Sequence, residues 1–326
     1  MGFFRKRRDV NDAAGDVGPR LPDASKTLGH VGAIDFAQAL MDHRWDDAEA
    51  YFANAPLRDQ AHAISVASDM GAPSGFYDEF VETKPESGLA WLVRGSSTVV
   101  NAWDSRAGAN DEQAIDEFHL ELERAEEDLR SATQSMPDNS IPWHHLLTSG
   151  RGLHLGRSEM DDRYVNHIRR GDLLSGHMAF QQLISEKWAG SHDEMWEHAE
   201  WMTRSAQPGS PNPALSAVAL IEHHIAGNAR RHTIHELPEV LGKEWLISEA
   251  MSRSYEDPSF DSTTPEGAAA LSVWFTLHYL MGDWARAAEL VSMIGDRFAR
   301  FPMAYFQDAP WAEIQDFVQA RLARAA

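Results

Sequence analysis

From about Ile34 to the C-terminus, apolar residues recur every three or four positions, and clusters of Pro, Gly, Asp and Ser interrupt this helical rhythm at intervals. The interruptions are GAPSG at 71–75, KPESG at 84–88, SRAGAND at 105–111, MPDNSIP at 136–142, QPGSPNP at 207–213 and EDPSFDSTTPEG at 256–267. Each can stop one helix and cap the next. No segment alternates convincingly as a strand. The longest candidate, AWLVRGSSTVVNAW, also places Trp91, Val99 and Trp103 on related faces of a helix. The expected fold class is therefore all-α, made of helices joined by short turns.

The stretch KWAGSHDEMWEHAEWM (187–202) shows how such a pattern can be mistaken for a site. It holds three Trp, two His and four acids. Ser191 to Glu194 reads as an S-x-x-E capping box, with acids in the first turn suiting the helix dipole. Met195, Ala199 and Met202 then form an apolar stripe with Trp196 beside it. Glu194 and His198, one turn apart, read as a surface pair. His192 and His198 are six apart and do not share a helical face.

Several segments share a finer pattern. In AEEDLRSATQSMPD the residues Ala125, Leu129, Ala132 and Pro137 are followed by Trp143 and Leu146. HRWDDAEAYFANAP carries Trp45, Ala48, Phe52 and Ala55. GDWARAAELVSMI carries Gly282, Trp284, Ala287, Val291 and Ile294, with Leu271, Trp274, Phe275 and His278 on the preceding helix. MDDRYVNHIRRGD offers a degenerate copy in Met160, Tyr164, His167 and Asp172. This resembles the tetratricopeptide repeat, where small residues let two antiparallel helices approach and bulky ones fill the groove to the next unit. The match spans half to two-thirds of the chain and lapses through 56–110 and 214–262. AEEDLRSA…P…W, RGLHLGR and KWAGSHDEMW also resemble an uncharacterised actinobacterial domain-of-unknown-function family with repeat-like helices, a resemblance that implies fold and no activity. Together these imply a right-handed α-solenoid of antiparallel helix pairs, closed by a C-terminal capping helix. That helix lies in DAPWAEIQDFVQARLARAA, where Asp308 and Pro310 precede a stripe of Trp311, Ile314, Val318 and Leu322. The expected organisation is a weakly ordered tail at 1–30 and one helical domain over 31–326, with a loose division near 205–214.

Composition bounds the chemistry. The 326 residues include no Cys, so thiolate metal sites, disulfides and cysteine nucleophiles are excluded. With 29 Lys and Arg against 50 Asp and Glu the net charge is −21, which argues against nucleic acid and anionic lipid and favours a basic partner if there is one. No apolar run is long enough to span a bilayer. MGFFRKRRD lacks the apolar region of a secretory signal, so a cytoplasmic setting is expected; its basic cluster Arg5 to Arg8 reads as a solvated tail.

Sixteen histidines raise the question of a metal site. In IEHHIAGNARRHTIHE, His223 and His224 are adjacent and point about 100° apart on a helix, so they cannot share one ion. His232, His235 and Glu236 fall in a loop or short turn. His224, His235 and Glu236 are sensible zinc ligands, but H-E-x-x-H and its inverse are absent. His144 and His145 repeat the adjacent-pair problem, one of them reading as packing. Paired carboxylates such as Asp46-Asp47, Glu126 to Asp128 and Asp161-Asp162 read as solvated faces. There is no nucleophile elbow, P-loop or dinucleotide fingerprint. SGRGLHLGR (149–157) reads as a flexible turn between helices Ser140–Gly150 and Ser158–Arg170, whose Arg151 and Arg157 could hold an anion. Of eleven tryptophans, those at 45, 143, 274 and 284 sit at repeat packing positions, whereas Trp188, Trp201 and Trp245 do not fit a stripe. The functional expectation is a scaffold or adaptor that binds a protein or peptide on a concave face using Arg151, Arg157, Trp188 and Trp201, without cofactor or catalytic residues. The alternative is an enzyme or small-molecule or metal binder with a His-lined pocket around 223–236.

Overall fold

A computed structural model describes residues 18–106, 111–227 and 234–325, which form helices and turns and no strand. The chain divides into two compact units, 1–172 and 173–326. The boundary is at Asp172 and Leu173. The expected loose division at 205–214 instead falls inside the second unit, where Asn212, Pro213 and Ala214 form a buried 3-10 turn.

The first unit contains α1 (Ala24–Thr27), α2 (Val31–Met41), α3 (Trp45–Asn54), α4 (Leu57–Ser68) and α5 (Asp78–Thr83). It continues with α6 (Gly88–Arg106), α7 (Glu112–Ser135), α8 (Ile141–Gly152) and α9 (Arg157–Arg170). Each helix packs on helices one or two along the chain: α2 on α4 and α3, α4 on α6, α6 on α7, α7 on α8, and α8 on α9. The α6–α7 interface is tightly packed. Ala125, Leu129 and Ala132 are all buried there. A Cβ on Gly95 of α6 would lie 2.9 Å from Leu129 and 3.2 Å from the Ala125 carbonyl, so the two helices meet at a distance only glycine allows.

Residues 18–30 are not a loose tail. The Arg20 N–H donates to the Met70 carbonyl, and the His62 ring contacts the Thr27 carbonyl at 2.9 Å. Leu28 is buried, so apolar burial and backbone pairing tie this segment to α4. Expectations for residues 1–17, including the Arg5 to Arg8 cluster, lie outside the described residues.

Glycines also correct the reading of 149–157. Helix α8 runs on to Gly152, and α9 begins at Arg157 rather than Ser158. A Cβ on Gly150 would meet Met160 Sδ at 2.6 Å, and one on Gly152 would collide with Leu122 and Phe118. These glycines therefore serve close packing, not flexibility.

The second unit contains α10 (Leu174–Leu183), α11 (His192–Ser205), α12 (Leu215–Ile225), α13 (Leu237–Val240) and α14 (Glu244–Arg253), then α15 (Pro265–Met281), α16 (Trp284–Ile294) and α17 (Trp311–Ala325). Its core is built on α12 and α15. Leu215 to His223 are all buried, as are Ala270 to His278, and a helix apolar on every side must be surrounded. Helix α11 packs on α12 and α14, α12 on α15, α15 on α16, and α16 on α17. The expected terminal helix is present: Ile314 and Val318 are buried, and Trp311 stacks on Phe298 with ring centroids 4.1 Å apart. No helix among the described residues is long and apolar enough to cross a membrane.

Candidate functional site

Helix α11 starts as its sequence suggests. The Ser191 hydroxyl accepts from the Glu194 N–H at 3.2 Å, and the Glu194 carboxylate lies 3.4 Å from the same hydroxyl. Met195, Trp196, Ala199 and Met202 are buried in the core of the second unit. One turn beyond the cap the reading fails. His198 is buried, not a surface partner of Glu194. Its Nδ1 lies 3.2 Å from Gln181 Oε1, while Gln181 Nε2 donates to the Leu215 carbonyl at 2.8 Å. Since Oε1 can only accept, His198 donates from Nδ1. Burial, reinforced by His177, pulls the His198 pKa down to about 3, so the ring is neutral.

Trp201 rests on this fixed histidine, 6.0 Å between ring centroids, and projects outward with 48 % of its surface exposed. Trp245, on the outer face of α14, is 43 % exposed. Arg204 joins them: its guanidinium sits 5.1 Å from the Trp245 ring centroid and 2.8 Å from Glu200. Helical spacing places Glu197, Trp201 and Arg204 along one stripe, and all three are exposed. Two large aromatics on rigid helices, ringed by charge, form the site. Trp201 and Trp245 were legible as tryptophans outside any core stripe. Arg204 was not singled out, although its position three residues after Trp201 and four after Glu200 is a local signal.

The other expected residues lie elsewhere. Trp188 is half-buried in the turn between α10 and α11, its backbone N–H donating to the Ser185 carbonyl at 3.0 Å. Arg151 ends α8 with its guanidinium 5.0 Å over the Trp103 ring, and Arg157 opens α9, 2.7 Å from Asp161. Arg151 and Arg157 thus belong to the first unit, Trp188 and Trp201 to the second. His224 is half-buried near the end of α12, and burial lowers its pKa. His235 and Glu236 are exposed in the turn before α13, and His232 lies outside the described residues. Among the described residues no group of three or more His, Asp or Glu is arranged to hold a metal ion.

Sequence reasoning missed a polar cluster at α12. His223 stacks on His192 with centroids 4.0 Å apart, and its Nδ1 accepts from the Trp196 indole at 3.3 Å. Glu186 lies 2.9 Å from His192, and buried Glu222 is held by Gln182 at 2.6 Å and Lys187 at 2.8 Å. Burial, with His192 beside it, pulls the His223 pKa down to about 4. The partner of His223 is therefore 31 positions back on a packed helix, a separation that no local spacing rule exposes. Comparison with protein-family models, curated proteins and solved structures returns no match.

Proposed function

We propose that this chain is a helical-repeat scaffold or adaptor, and that the α11–α14 face of its second unit binds a segment of another protein. The observation that carries the reading is the pair of exposed indoles, Trp201 and Trp245, on helices whose opposite faces are locked in the core. Large rigid aromatics with a nearby arginine are the residues that dominate protein-recognition energies. Tetratricopeptide-like stacking of the helix pairs into a right-handed solenoid with a concave binding face belongs to the same proposal, as does a cytoplasmic setting. It rests on analogy of fold, since fold alone does not fix function.

The test is quantitative affinity capture from the native lysate, comparing the full chain with the W201A/W245A variant. The reading expects specific proteins retained by the native chain and lost by the variant, with equal helicity by circular dichroism. An unchanged set of captured proteins overturns it.

A further inference from the structure

We propose that Glu197 and Trp201 form a slot for the cationic side chain of an arginine- or lysine-bearing segment of the partner, which rests on the reading above and names its chemistry. On the same face, Arg204 lies between a carboxylate and an indole: 2.8 Å from Glu200 and 5.1 Å from the Trp245 centroid. Glu197 and Trp201 supply the same two kinds of group, an acid and an indole, here side by side one turn apart on α11 rather than from two helices. Among the described residues no cation lies over Trp201 and none pairs with Glu197. Neighbouring acids on these helices do find partners: Glu200 is held by Arg204, Glu249 by Arg253 at 2.9 Å, and Glu194 lies against the Ser191 hydroxyl. No described residue supplies a cation to Glu197 and Trp201, and the proposal places a partner's cation there.

The surroundings select for positive charge. Glu244 beside Trp245 and Glu239 at the end of α13 are exposed, and the whole chain carries −21. Arg204 is already paired with Glu200 and Lys243 lies over Trp196, so the exposed Glu197, Glu239 and Glu244 leave this face negative and disfavour an acidic segment. A neutral apolar segment covering Trp201 would strip water from Glu197 without replacing its hydrogen bonds, which is unfavourable. A guanidinium or ammonium meets both needs, stacking on the indole and pairing with the carboxylate. Arginine fits best, because its plane lies flat on the ring while its edge reaches the acid.

The experiment follows the Trp201 and Trp245 indole N–H signals by NMR while the full chain is titrated with a Gly/Ser peptide carrying arginine at every third position. A matched peptide carries neutral citrulline instead. The proposal expects the arginine peptide to shift the Trp201 signal and the citrulline peptide to leave it unmoved. E197Q should weaken binding about two- to fivefold and W201A about five- to twentyfold. Trp201 is on the surface and Glu197 is exposed, so both variants keep the core. Equal binding of the two peptides, or indifference to E197Q, overturns the cation slot and leaves the docking face standing. No shift with either peptide also overturns the slot, while the docking face is decided separately by the W201A/W245A capture.

Discussion

At the residue scale, several buried side chains are held by partners distant in sequence. Arg163 is the clearest: 1 % exposed, it binds Glu126 through two nitrogens at 2.6 and 2.8 Å and Glu159 at 2.9 Å, and it donates to the Leu146 carbonyl. Ser149 adds a hydroxyl at 2.5 Å from Glu126. Removing one partner of a buried pair strands the other charge, so R163M should cost about 3–5 kcal/mol by urea unfolding, and E126L/R163M should recover most of that loss. Buried neutral histidines set an acid dependence. His145, His198 and His223 are held at about 4, 3 and 4, below the ordinary 6.5, chiefly by burial. The unfolded chain takes these protons first. Their contribution to stability is therefore complete above about pH 6.5 and falls as pH drops toward 4, by about 1.4 kcal/mol per pH unit for each ring. Unfolding free energies between pH 7 and 5 check this; a flat profile over that range contradicts it. The Arg163–Glu126 pair was hidden in the sequence because its residues are 37 apart on different helices, and Glu126 sits in an acidic run that reads as solvated.

At the scale of elements, most of the structure was legible because helix ends are written locally. Thr264 caps α15 by accepting from the Gly267 N–H at 3.0 Å, Gly282 ends it at φ 73°, and Asp283 caps α16 by accepting from the Arg286 N–H at 3.2 Å. The Pro/Gly/Asp clusters mark helix ends, most of them running into the first turn of the next helix and the one at 105–111 opening on the last two residues of α6. The Ser191 cap of α11 was equally readable, and S191A should cost about 1 kcal/mol in a thermal or urea melt. The stretch 149–157 was misread because glycine marks both turns and close helix contacts, and only the packing decides between them. Here Met160 and Arg163 fill the space beside Gly150. G150A should destabilise by about 1–3 kcal/mol, the range for overpacking a filled interface, whereas G156A, with open space around it, should have little effect. The candidate face was partly legible for the same reason. Trp201 and Trp245 break their helical stripes, but only the packing of α11 on α14 brings Arg204 onto Trp245.

At the scale of the molecule, two compact units replace the single expected domain. The boundary lies in GDLL after α9, a stretch without the Pro-rich signal that made 205–214 look like a linker. In the second unit α17 covers α16 with Ile314 and Val318, and the Trp311 indole donates to the Gly295 carbonyl at 2.6 Å. V318D places a charge in that contact and should speed hydrogen exchange through α15–α17, leaving the α6–α9 amides as protected as before. The central claim is that the second unit meets its partner through Trp201 and Trp245. Oxidative footprinting of tryptophan tests it most directly, comparing the free chain with the complex captured from lysate. The account predicts strong protection of Trp201 and Trp245 in the complex and little change at Trp284. Equal oxidation of Trp201 and Trp245 in the free and bound states contradicts it.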